Sequence, residues 1–161
     1  MTKTRAQSLK EDYQFTTMLI QHRVQGITDE ESVLQLPFEA NCLNWIVGHI
    51  LSRRNSVLEA LGQDPIWAES TQARYRTGSQ PVRKVSDARP FSLLLEDLMA
   101  TQQRINTALE QATDADLDRV VKNDRGTKSV WEHLEGFHWH ETYHLGQLEL
   151  LQAFIASQRG G

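Results

Sequence analysis

Apolar residues recur at helical spacing in four segments of the chain, separated by polar stretches in which glycine and proline concentrate. From about Ser8 to Gln25, Leu9, Tyr13, Met18, Leu19 and Ile20 offer an apolar face, and Gly26 supplies a stop. From about Asn41 to Leu61, the stripe is Leu43, Ile46, Val47, Ile50, Val57 and Leu61, closed by Gly62 and then Pro65. A third begins near Pro90, a residue suited to a first helical turn, and continues through Phe91, Leu94, Leu95, Leu98, Ile105 and Leu109. A fourth runs from Ser129 to about Ser157, and Ser129-Val130-Trp131-Glu132 reads as a capping box at its start. Thr28-Asp29-Glu30-Glu31 and Thr113-Asp114-Ala115-Asp116 look like starts of two short helices. No stretch alternates apolar and polar residues over the length of a strand, so the pattern predicts an all-α protein.

The connection at 62–89 is rich in Gly, Pro, Ser and charge, and is too long for a turn between antiparallel neighbours. It is long enough to return along a helix of about 30 Å, which lets the second and third helices run parallel. The expected architecture is therefore a four-helix bundle with up-down-down-up topology, residues 1–161 forming one domain. Composition narrows the class further. A formal net charge of −4 argues against a nucleic-acid binder, which usually carries a basic excess. The lone Cys42 excludes an internal disulfide and fits a reducing compartment. With no apolar run long enough for a signal peptide or a membrane span, the expectation is a cytoplasmic protein without membrane contact.

Chemistry concentrates in His140-Glu141-Thr142-Tyr143-His144-Leu145-Gly146-Gln147. Residues four apart on a helix lie one turn apart and about 40° around the axis, so His140 and His144 project together. Both fall in the middle of the fourth apolar stripe, where two basic rings are costly unless something binds them. A metal ion would do so, and it needs a third ligand from elsewhere. His133 shares the stripe but lies about 10 Å along the axis from His140, too far to join it. His138 is expected to face away, on the surface, and His22 near the end of the first helix suggests no chemistry. His49 is the strongest partner: it borders the second stripe in Asn44-Trp45-Ile46-Val47-Gly48-His49. Gly48 costs a helix interior about 1 kcal/mol relative to Ala, which close approach of a neighbour or ligand would explain. Taken alone, the pair reads more readily as a tolerated glycine beside a hydrogen-bonded histidine.

Together, Asn44-Trp45-x-x-Gly48-His49 and His140-Glu141-x-Tyr143-His144-x-Gly146-Gln147 resemble the DinB-like (damage-inducible, YfiT-related) family. The resemblance implies an up-down-down-up bundle holding a divalent metal on three histidines, which correspond to His49, His140 and His144. It also suggests a homodimer. Some members of that family are implicated in transfers that use a low-molecular-weight thiol, and others are grouped as metal-dependent hydrolases. Zinc and nickel both suit imidazole donors, and the ligand set does not choose between them.

His140-Glu141-Thr142-Tyr143-His144 is also a literal H-E-x-x-H, the zinc-protease signature, but no histidine follows His144 to complete such a site. Glu135-x-x-His138 and Glu141-x-x-His144 lie on one helix, which excludes a di-iron bundle. Glu141 is a candidate general base near the edge of the stripe, and Arg53, one turn after His49, a candidate anchor for an anionic substrate. Gln147 suits a partner for a ligating ring's free N–H. The basic stretch 74–89, with Arg74, Arg76, Arg83, Lys84 and Arg89, is a candidate cover for the site. The expected function is a metal-dependent hydrolase or thiol transferase acting on a small molecule, the alternative being a non-catalytic metal-binding sensor or binding module.

Overall fold

The computed structural model describes residues 3–160. They form α1 (Arg5–Val24), α2 (Asp29–Ser32), α3 (Leu43–Ala60), α4 (Glu69–Arg74), a 3-10 turn at Val85–Asp87, α5 (Phe91–Gln111), α6 (Asp114–Asp118), β1 (Val120–Asn123), β2 (Gly126–Ser129) and α7 (Val130–Arg159). The molecule is predominantly helical, as the apolar spacing predicts. Four helices start with reciprocal capping boxes, at Thr4, Thr28, Thr113 and Ser129, each hydroxyl accepting from the backbone N–H three residues on. Three of these were legible as caps; Thr4 was not, and α1 begins three residues before the expected Ser8.

Each of the four long helices packs on two others: α1 on α5 and α7, and α3 on the same pair. Polar contacts fix their levels. Along α1 and α7 the numbers rise together, since the Tyr13 hydroxyl donates to the Leu134 carbonyl, Thr16 to Glu141, and Arg23 pairs with Glu149. α3 and α7 meet at one level, where His49 touches His140 and His144 and Arg54 meets Glu141. Lys10 reaches Glu110 and Thr17 reaches Gln102, so α1 and α5 run oppositely.

The apolar interior is divided in two. One cluster gathers Ile20, Ile50, Leu51, Leu94, Leu98 and Leu148; the other gathers Leu9, Tyr13, Val57, Leu58, Ile105 and Phe137. Between them, at mid-height of all four long helices, lies a buried polar layer of Thr16, Thr17, Arg54, Gln102 and Glu141. The Arg54 guanidinium donates to both Glu141 oxygens at 2.9 and 2.6 Å, to Thr17 Oγ1 at 2.7 Å and to Gln102 Oε1 at 3.1 Å. Thr16 Oγ1 adds a 2.5 Å bond to Glu141. Charge and hydrogen-bond capacity are both matched, which is the condition for burying an ion pair without a large penalty.

Three local expectations are corrected. An antiparallel hairpin pairs Val120 with Ser129 through Asn123 with Gly126, where no strand was expected. Its residues stay exposed or half-buried, so the apolar alternation that announces a strand has no reason to exist. Gly126, at φ 103°, takes the left-handed conformation that closes its turn. Met18, placed on the apolar face of α1, is exposed, and the buried positions beside it are Thr16 and Thr17. His138, expected on the surface, is half-buried with its ring edge-on to Tyr13 at 5.2 Å, because α1 covers that flank of α7.

Candidate metal centre

Three imidazoles converge where α3 crosses α7. His49 Nε2 lies 3.2 Å from His140 Nε2, which lies 3.1 Å from His144 Nε2. Ligand atoms of all three stand within 4.8 Å of one another. Two bonds of about 2.0–2.1 Å to one tetrahedral ion separate their nitrogens by about 3.3–3.4 Å, so the observed spacing fits a shared metal.

The far side of each ring decides which nitrogen is bare. His49 Nδ1 lies 2.6 Å from the Tyr75 carbonyl, an acceptor only, so Nδ1 carries the hydrogen and Nε2 keeps its lone pair. His144 Nδ1 likewise donates to Gln147 Oε1 at 2.7 Å. Such bonds fix ring orientation and raise ligand basicity. His140 Nδ1 is buried with no partner among the described residues. Two bare nitrogens therefore face His140 Nε2 at 3.2 and 3.1 Å, an arrangement that either an Nε2–H on His140 or a shared cation satisfies.

Burial holds these rings neutral. His49 is pushed down to about 4, chiefly by loss of solvent, against the Tyr75 carbonyl that favours its charged form. His140 is pushed down to about 3 by burial and then by the neighbouring His144 and His49. His144 is lowered as well, again chiefly by burial, with Gln147 acting the other way. Neutral imidazole is the ligating form.

Gly48 has its explanation in Tyr75. A Cβ on Gly48 would stand 2.2–2.6 Å from ring carbons of Tyr75, so only glycine lets that ring lie against α3. The Tyr75 hydroxyl donates to Asn44 Oδ1 at 3.0 Å and accepts from the Arg89 backbone at 2.9 Å. The ring and hydroxyl thereby lock the carbonyl that orients His49. Trp45 stacks on His49 with centroids 4.7 Å apart and planes 13° apart, and its indole N–H donates to Ser79. Tyr75 sits in a connection whose length hid this role from sequence reasoning; the glycine opposite was the one signal of a close neighbour.

The three histidines line a cleft of about 550 Å³, walled by Leu36, Phe38, Trp45, Tyr143 and Leu150 among others. The other residues singled out in the sequence lie elsewhere. Glu141 is buried with both oxygens taken by Arg54 and Thr16. Arg53 points to the hairpin, where its guanidinium meets Asp124 at 2.5 Å. His133 accepts from Asn123 and donates to the Val121 carbonyl, tying α7 to β1. Of the 74–89 stretch, Thr77 reaches the cleft, whereas Arg74 caps backbone carbonyls of Gln80 and Asp87, Arg76 pairs with Glu69 and Arg89 with Asp97. Arg54 is the residue sequence reasoning missed. Its signal was present: it continues the stripe Val47, Ile50, Leu51, Val57 and Leu58, where a charge is out of place.

A helical protein with three histidines poised to hold one metal ion is thus defined by its own geometry. A profile of the DinB superfamily matches residues 12–148, and the chain belongs to that superfamily. No curated protein matches it. No helix among the described residues is long and apolar enough to cross a membrane.

Proposed function

We propose that the protein is a metal-dependent enzyme acting on a small molecule, with His49, His140 and His144 as ligands of one divalent ion, zinc or nickel. The observation that carries this reading is the convergence of three Nε2 atoms, two of them with tautomers fixed from behind, beside an open cleft. When bound, such an ion supplies a Lewis acid able to polarise a carbonyl, activate water or hold a thiolate, which fits hydrolysis and transfer of a low-molecular-weight thiol alike. The chain's own contribution is orientation and access. Tyr75 and Gln147 aim the rings, and the apolar walls limit water around whatever enters.

The remaining features belong to the same reading. The level-by-level contacts support a single up-down-down-up four-helix bundle whose third helix is reached by the crossover between α3 and α5. Glu141 and Arg53, the expected base and anion anchor, have their charged ends paired with Arg54 and Asp124, which supports a structural role for each. The acidic balance supports the absence of a nucleic-acid partner, and the lone Cys42 supports a reducing, cytoplasmic compartment. We propose a homodimer on family grounds alone.

A non-catalytic metal-binding module is the second reading. The cleft beside the histidines favours catalysis over it, since a structural ion is usually enclosed by four protein ligands. Elemental analysis of the purified protein beside His144→Ala tests the site, with about one equivalent of metal expected in the first and a large loss in the second. Metal content unchanged by the substitution would remove the assignment. Consumption of thiol with an electrophile, set against hydrolysis of activated esters and amides, then separates the two chemistries.

A further inference from the structure

The cleft beside the histidines is uneven in charge. Aliphatic and aromatic groups make most of its wall, with Phe38 and Tyr143 both more than half exposed. Among the described residues no Lys or Arg lines it, and Glu39 is its one carboxylate. The nearby cations are engaged elsewhere: Arg53 with Asp124, Arg54 with Glu141, Arg76 with Glu69 and Arg89 with Asp97. Arg83 borders a separate depression on the other side of the 36–40 segment. A carboxylate, phosphate or sulfonate lodged along this wall would lose hydration and meet no cationic side chain, only neutral donors such as Asn41, Thr77 and Gln147, while Glu39 lines the same cleft.

We infer that the substrate of this site is an apolar, ring-bearing small molecule that carries no anionic group along its body, its single polar head lying at the histidine end. The volume is within the range of small-molecule pockets. Phe38 and Tyr143 supply flat faces for the ring, and Glu39 repels anions at the rim. The position of the head rests on the metal reading above; the selectivity of the wall does not. The wall thereby disfavours molecules that carry an anionic group along their body, such as nucleotides and sugar phosphates.

The test uses N-phenylnaphthylamine, a neutral probe that fluoresces in apolar surroundings, beside the anilinonaphthalene that differs from it by one sulfonate. Both are titrated against the protein as purified and after chelator treatment, with metal content measured in the same samples. We expect the neutral probe to bind the chelator-treated protein at least about tenfold more tightly than the sulfonate. Phe38→Ala and Tyr143→Ala should each weaken the neutral probe about fivefold or more, as loss of an aromatic contact does. Glu39→Gln should strengthen the sulfonate by about threefold to fivefold and leave the neutral probe unchanged. Equal or tighter binding of the sulfonate, or a neutral probe indifferent to both aromatic substitutions, overturns the inference. A protein that holds no metal as purified and takes up none when zinc or nickel is added, yet keeps the selectivity, sinks the metal assignment and supports this one.

Discussion

Two glycines on the site's helices make opposite demands, and the difference is measurable. At Gly48 an added methyl would drive into the Tyr75 ring, whereas at Gly146 it would meet nothing within 4 Å. Gly48→Ala gains about 1 kcal/mol of helix propensity but must displace a packed aromatic, a cost of about 1–3 kcal/mol or more. We expect net loss of stability in urea unfolding, together with weaker metal binding because the carbonyl behind His49 moves. Gly146→Ala has no such opponent and should stabilise by up to about 1 kcal/mol. If Gly48→Ala left both stability and metal affinity intact, Tyr75 would not be the orienting group. Gln147 offers a cleaner probe, since only its amide oxygen touches a ligand. Gln147→Leu keeps the volume and removes the acceptor behind His144, so metal affinity should fall about tenfold to a hundredfold in a chelator competition.

At the scale of the elements, the Arg54–Glu141 pair sets how α3, α5 and α7 meet. Removing one partner leaves the other buried, charged and without a counter-ion, so Glu141→Gln or Arg54→Met should each cost about 3–5 kcal/mol. Replacing both together, Arg54→Met with Glu141→Leu, should recover much of that in denaturant unfolding. Loss of activity in Glu141→Gln with stability unharmed would instead favour Glu141 as a base. What the sequence disclosed follows the same physics. Helices with an apolar stripe and a capping residue announce themselves, because packing imposes a period and termini need hydrogen-bond partners. The hairpin did not, since a four-residue strand with no buried face carries no period. Arg54 broke its stripe as visibly as His140 and His144 broke theirs, but the adjacent Arg53, one turn after His49, was the arginine that drew the reading. His49 was visible only beside the family motif, since one histidine at a stripe's edge has many explanations. Tyr75 reaches His49 through its backbone carbonyl, a group present in every residue and therefore silent in sequence.

The whole molecule sets how these histidines answer to pH. In the unfolded chain each titrates near 6.5, whereas in the fold His49 lies at about 4, His140 at about 3, and His144 is lowered too. Between those values the unfolded state takes up protons that the folded state refuses. Stability therefore rises with pH across the window. It is complete above about pH 6.5 and is lost as the pH falls toward the folded values. The metal-free protein should show a Tm that drops steadily between about pH 6.5 and 4, and His140→Leu should flatten that slope by removing the most strongly shifted ring. The loaded protein adds a second consequence. Three ordinary histidines would hold a metal progressively more weakly below pH 6.5, because protons compete for the same lone pairs. Rings whose proton affinity burial has lowered present a weaker competitor, so affinity measured against a chelator of known proton dependence should fall less steeply from about pH 7.5 to 5.5 than three ordinary histidines would allow. A steep decline across that range would mean that the rings are solvated and charged, and that the enclosure built by Trp45, Tyr75 and the two apolar clusters does not exist in solution.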